Sequence, residues 1–109
     1  MEKSLLVKFL GNNPFIRVID FLIENRGFDY SKTEIARGAG IGWSTLYTIW
    51  DKLEKEKIVI LTRSYGKTRL HKLNEDNAVV KILIKLDRQL TMENLDRVAT
   101  EQGKVAVMG

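Results

Sequence analysis

Two groups of side chains in this 109-residue chain have types and spacings suited to chemistry, and in both the chemistry is recognition. Trp43, Ser44, Thr45, Tyr47 and Thr48 follow one another closely, with Lys52 one turn further on. Hydroxyls can donate to or accept from base edges or phosphates, and threonine methyls can meet thymine methyls. The second group is a set of cations, Arg63, Lys67, Arg69 and Lys72, within residues 58–73, a stretch that holds no acidic residue. A surface that serves only solubility normally mixes the two signs of charge. Cations without carboxylate neighbours attract phosphates instead.

Bond-making chemistry lacks its parts. The chain has no cysteine, which removes disulfides, thiolate metal sites and cysteine nucleophiles together. Its one histidine, His71, reads as a partly buried strand residue, since a single imidazole cannot build a histidine-rich metal site. Gly38, Gly40 and Gly42 alternate, but they do not follow a strand in dinucleotide-binding spacing, so they read as a turn. No catalytic residue, metal or cofactor is expected, and an enzyme is the weakest of the readings.

Charge placement points the same way. Residues 1–30 are neutral overall, residues 31–73 carry +5, and residues 74–109 carry −1, within a total of +4. The middle segment is therefore where a polyanion would dock. No apolar run is longer than four residues, Ile58 to Leu61 among them, which is far short of a bilayer span, and residues 1–11 carry no cleavage signature. A cytoplasmic protein is expected, with no membrane partner.

The elements that must hold these groups are legible from caps and periodicity. Ser4 to Leu10 reads as a short helix or an ordered arm. Asn13-Pro14 opens a helix whose core face is Phe15, Val18, Ile19 and Leu22, and Asn25-Arg26-Gly27 closes it. Phe28-Asp29-Tyr30 is long enough only for a brief strand. Ser31-Lys32-Thr33-Glu34 is a capping box, so a second helix runs from Lys32 to Ala39. After the tight turn Gly40-Ile41-Gly42 a third helix spans Trp43 to Glu56. It sets Leu46, Ile49, Trp50 and Leu53 on one face and the hydroxyl-bearing set on the other. Ile58–Arg63 and Thr68–Leu73 form a hairpin around Ser64-Tyr65-Gly66-Lys67.

Thr33 to Trp50 has the order of a helix-turn-helix. Ala36 supplies the small residue at the crossing, Gly40 tolerates the positive φ of the turn, and Ile35, Ile41, Leu46 and Ile49 fill the wedge. This stretch, with the hairpin after it, resembles the winged helix-turn-helix of MarR-like and ArsR-like regulators and of small archaeal regulators, over residues 14–74. The resemblance implies a mainly α fold with a β-hairpin wing and additional C-terminal helices.

It implies double-stranded DNA as the partner, with Trp43, Ser44, Thr45, Tyr47, Thr48 and Lys52 on the recognition helix. Arg63, Lys67 and Arg69 are then wing contacts to phosphates or the minor groove, and Lys32 and Arg37 further backbone contacts. Gly42 departs from the Ser or Thr cap common in such regulators. Trp43 is large for an exposed helix start, and is expected either against the sugar-phosphate backbone or over the core.

Val79, Ile82, Leu83, Leu86 and Leu90 share one helical stripe, and Val80 and Ile84 widen the apolar arc to about 240°. One small domain cannot cover so wide an arc, so these residues are expected to pack partly on the winged helix and partly on a second copy. Residues 91–102 are expected to form a further helix that could instead fold back over the excess. The expected organisation is an arm or short helix in 1–12, the DNA-binding unit in 13–74, dimerising C-terminal helices in 75–102 and a flexible tail in 103–109. The leading expectation is a dimeric, sequence-specific repressor. The alternatives are a winged-helix protein-interaction module of a transcription or replication assembly, and a nonspecific architectural DNA binder. Whether a small-molecule effector acts on the protein is left open by the sequence.

Overall fold

The structure, a computed structural model, describes the backbone of residues 4–108 and side chains up to residue 100. The elements run α1 (Leu5–Leu10), α2 (Pro14–Glu24), α3 (Lys32–Ala39), α4 (Trp43–Lys55), β1 (Val59–Tyr65), β2 (Thr68–Leu73) and α5 (Ala78–Met108). Local chemistry sets most of the boundaries. The Ser4 hydroxyl accepts from the Val7 amide, and Asn13 Oδ1 accepts from the Ile16 amide with Pro14 in the first helical position. Ser31 and Glu34 close the capping box in both directions, at 3.2 and 2.9 Å. Gly40 ends α3 in the left-handed region at φ 69°, a conformation that costs a side-chain-bearing residue about 1 kcal/mol or more.

The core is one cluster. Val18, Ile19, Leu22 and Ile23 of α2 meet Ile35, Ala36 and Ala39 of α3 and Leu46, Trp50 and Leu53 of α4, with Leu6, Ile58, Val59, Leu73 and Val80 completing it. Each large aliphatic side chain removed from water there contributes roughly 1.5–3 kcal/mol. Helix α2 is central, touching α1, α3, α4 and β2. Gly38 lies inside α3 and not in the turn assigned to it, because α2 approaches there: a Cβ on Gly38 would stand 2.1 Å from Phe21 Cε1.

The hairpin is a two-stranded antiparallel ribbon. Tyr65 pairs with Thr68, so its loop is only Gly66-Lys67, shorter than the four residues expected, with Gly66 at positive φ. That places glycine first in a two-residue loop, as a type II′ turn requires. The pairing slips by one residue between Leu61 and Arg63, a bulge at Thr62. Of the brief strand expected at 28–30, only Tyr30 pairs, in a bridge to His71 with reciprocal amide–carbonyl bonds of 2.8 Å.

The chain leaves α4 through Lys57, the one non-glycine residue at positive φ among those described. Asn74 and Asn77 donate side-chain amides to the freed carbonyls of Glu56 and Lys57, and Asn77 Oδ1 accepts from the Val79 and Val80 amides. The polar break at 74–77 is thus a clamp between the end of α4 and the start of α5.

The C-terminal region differs from the expectation of two helices and a tail. Helix α5 is continuous from Ala78 to Met108, about 46 Å at 1.5 Å per residue, in a molecule 62 Å long. Thr91, read as a helix start, is instead absorbed by donating its hydroxyl to the Asp87 carbonyl at 3.0 Å. Gly109 lies outside the described residues. Val80, expected at an interface between copies, is fully buried in this chain's own core. Leu83, Ile84, Leu86 and Leu90 also pack against that core, partly buried. Val79 and Ile82 stand exposed, as do Met92, Leu95 and Val98 further along.

Candidate nucleic-acid interface

Helix α4 turns its two faces to different environments. Leu46, Trp50 and Leu53 are buried, while Trp43 and Tyr47 are 52% and 70% exposed. Ser44, Thr48 and Lys52 are exposed beside them, and Thr45 is half-buried. The Thr48 hydroxyl donates to the Ser44 carbonyl at 3.0 Å. Its oxygen lone pairs therefore remain available as acceptors to an outside donor. Lys52 leans away from the helix start, its Nζ 4.4 Å from the Phe15 ring centroid. Gly42, the N-cap, supplies no side-chain acceptor to the first amides of α4.

Trp43 joins three elements and stays out of the core. It lines a cleft of about 310 Å³ with Ser31, Lys32 and Thr33 from the start of α3 and Lys67, Thr68 and Arg69 from the wing tip. With Thr33, Ala36, Arg37 and Ile41 it also lines a second cleft. The structure thus brings Lys32, Arg37, Lys67 and Arg69 around the N-terminal end of α4. Arg37, Lys67 and Arg69 are exposed, and Lys32 is half-buried with its ammonium 4.9 Å from the Trp50 ring centroid.

Arg63 stands apart from that group. Its Nε donates to Asp29 Oδ2 at 2.9 Å, its Nη2 to Asp29 Oδ1 at 3.2 Å and its Nη1 to the Tyr65 hydroxyl at 2.7 Å. A wing cation expected to face phosphates is held within the chain. The Arg63 guanidinium and then the Thr62 hydroxyl hold the Asp29 carboxyl below the usual carboxylate range. Sequence reasoning missed Asp29 because its partner lies 34 positions away and no local pattern links them.

Beneath the interface, His71 of β2 meets Trp50 edge-on, ring centroids 4.8 Å apart. Burial lowers the pKa of its imidazole; Glu54 opposes that shift, and Lys32 and Arg69 reinforce it. The unfolded chain, with a histidine pKa of about 6.5, therefore holds the proton more tightly than the folded one. Stability is complete above that value with respect to this group and declines as pH falls below it. Asp20 and Glu24, raised chiefly by burial, act in the opposite sense at lower pH. The urea midpoint of the parent is expected to fall between pH ~7.5 and ~5 by more than that of His71→Phe. Equal shifts in the two proteins would show that His71 does not set the slope.

Among the described residues no group of three or more His, Cys, Asp or Glu side chains could hold a metal ion. No described helix is long and apolar enough to cross a membrane.

No family model matches the chain, and no curated protein matches it in sequence. Solved structures do. NadR in complex with 4-hydroxyphenylacetate superposes with a TM-score of 0.64 at 22% identity, covering 95% of this chain and 72% of that one. A variant of Staphylococcus aureus MepR bound to an oligodeoxyribonucleotide gives 0.65 at 13% identity, over 95% and 80% of the two chains. Another MepR structure is described as a transcription regulator of the multidrug efflux pump MepA. Lactococcus lactis ZitR, a zinc-responsive MarR family member, gives 0.57 at 15% identity, over 84% and 68%. The order of helices, the two-stranded wing and the long last helix of this chain make up the winged helix-turn-helix fold of MarR-type transcription regulators.

Proposed function

We propose that the protein is a dimeric, sequence-specific regulator of transcription that reads double-stranded DNA with α4 and grips the backbone with its wing. The observation that carries this reading is the cleft shared by Trp43, Lys67, Arg69 and the start of α3. Cations converge there beside a helix face of hydroxyls and rings, with no carboxylate among the cleft's lining residues. A protein-interaction module has no need to concentrate positive charge on that one segment. The oligonucleotide complex of a MepR variant adds support at the level of fold.

In this reading Trp43, Ser44, Thr45, Tyr47 and Thr48 face the major groove, and Lys32, Arg37, Lys67 and Arg69 take phosphates. Repression is favoured because occluding a promoter needs no further contact. Selecting bound fragments from a random duplex pool tests the reading. A consensus with two half-sites is expected, and recovery of unrelated sequences with equal affinity would favour an architectural role.

The second copy is argued from α5. Ile82 is 64% exposed, Leu95 61% and Val79 59%, and Leu90 is the last of the helix's described residues to pack on the core cluster. Sedimentation is expected to give twice the chain mass of 12.5 kDa. Ile82→Glu with Leu95→Glu should yield a folded monomer with weakened DNA affinity, since both sites are exposed within one chain. A dimer that persists in this variant would place the contact elsewhere.

A further inference from the structure

We infer that Asp29 is a wing-positioning residue, and that Arg63 is the strut through which it acts instead of a contact to DNA. The inference rests on the DNA-binding reading for its functional consequence and on the geometry of the free chain for its structural part.

Residues 29 and 30 hold the wing at two levels. Tyr30 exchanges both backbone hydrogen bonds with His71 at the root of β2. Asp29 reaches β1 directly, accepting from Arg63 Nε and Nη2 and, at 2.6 Å, from the Thr62 hydroxyl. Thr62 is the bulged residue, and its hydroxyl also lies 3.2 Å from the Leu70 carbonyl of the opposite strand. A bulge bends a ribbon and raises its twist. A carboxylate that grips the bulged residue and its neighbour fixes the direction of that bend.

Arg63 is suited to this use because its planar fork matches a carboxylate with two parallel bonds. Its remaining terminal nitrogen is taken by Tyr65 two residues on, so the fork is held from both ends. A phosphate could recruit Arg63 only by stripping it from Asp29, whose side chain is 18% exposed. That exchange would leave a sheltered carboxylate beside incoming DNA. The pair is neutral as a unit, so the wing's outward charge comes from Lys67, Arg69 and Lys72.

The test compares Asp29→Asn, Arg63→Gln, the double variant and the reversed pair Asp29→Arg with Arg63→Asp. Duplex affinity is measured over a range of salt, and amide exchange of residues 60–70 is followed by NMR in the free protein. A strut predicts that each single variant loses about three- to tenfold in affinity, the scale of one ordinary intramolecular hydrogen bond. The salt slope stays unchanged, the double variant is no worse than either single one, and the reversed pair recovers part of the loss. If Arg63 instead holds a phosphate, Asp29→Asn binds more tightly and Arg63→Gln lowers the slope by about 0.9 per protomer; either result overturns the inference. Should the parent bind no duplex at all, the DNA reading falls by itself. The amide exchange then decides the strut: faster exchange in Asp29→Asn upholds it, and unchanged exchange overturns it.

Discussion

Affinity for a preferred duplex is expected to fall by about 10³–10⁵-fold between about 50 and 200 mM salt. That is the loss for a protein that neutralises about 6–10 phosphates, each of which releases counterions when bound. The structure sets the composition of the count. Lys32, Arg37, Lys67 and Arg69 lie around the start of α4, and Arg63 is left out because Asp29 holds it. Four such cations in each copy of the proposed dimer fall inside the range. Arg69→Ala should weaken binding to all duplexes alike and reduce the slope by about 0.9 per protomer. Thr48→Ala should leave the slope untouched and relax preference at one base position. The Thr48 proton already goes to the Ser44 carbonyl, so Thr48 meets DNA as an acceptor, and the base it discriminates should present an amino donor, adenine N6 or cytosine N4. A salt slope near zero would remove the electrostatic basis of the reading. Parallel effects of both substitutions would undo the division between wing and helix.

What was legible in the sequence was local. Asn13-Pro14, the Ser31–Glu34 box and Gly40 act within three or four residues of themselves, and each sets a boundary where its chemistry predicts. The ends of β2 follow likewise from the β-prone run before Asn74. What was hidden depends on partners far away in the chain. Periodicity shows that α5 is apolar over a wide arc, but it cannot tell that Val80 faces this chain's core while Ile82 faces out. Thr91 opens a helix in many sequences; here the preceding turn is already helical and accepts its hydroxyl, so no break occurs. Gly38 looked like part of a turn because its reason for being small is the Phe21 ring of another helix. Arg63 looked like a free cation because its carboxylate belongs to the connection between α2 and α3.

The same interlocking makes Trp50 the residue whose loss should be felt most widely. Its indole is 4% exposed, stands edge-on to His71 of the wing and lies under the Lys32 ammonium of α3. Truncating a buried tryptophan removes its transfer free energy and leaves a cavity, together about 3–5 kcal/mol. A domain of this size is stable by about 5–15 kcal/mol in all, so Trp50→Ala should unfold at much lower urea and at the margin fail to fold. Trp50→Phe should behave differently from a simple scale of lost area. Trp50 Nε1 is buried with no hydrogen-bond partner among the described residues, and phenylalanine removes that unsatisfied donor along with the second ring, so relief of about 1–3 kcal/mol offsets part of the lost packing. Trp50→Phe should therefore retain most of the parent stability and most of the DNA affinity, because a ring still separates α4 from His71. If Trp50→Phe is as unstable as Trp50→Ala, the indole nitrogen has a partner that matters. If Trp50→Ala leaves the urea midpoint unchanged, the wing and the recognition helix are not held together through this side chain.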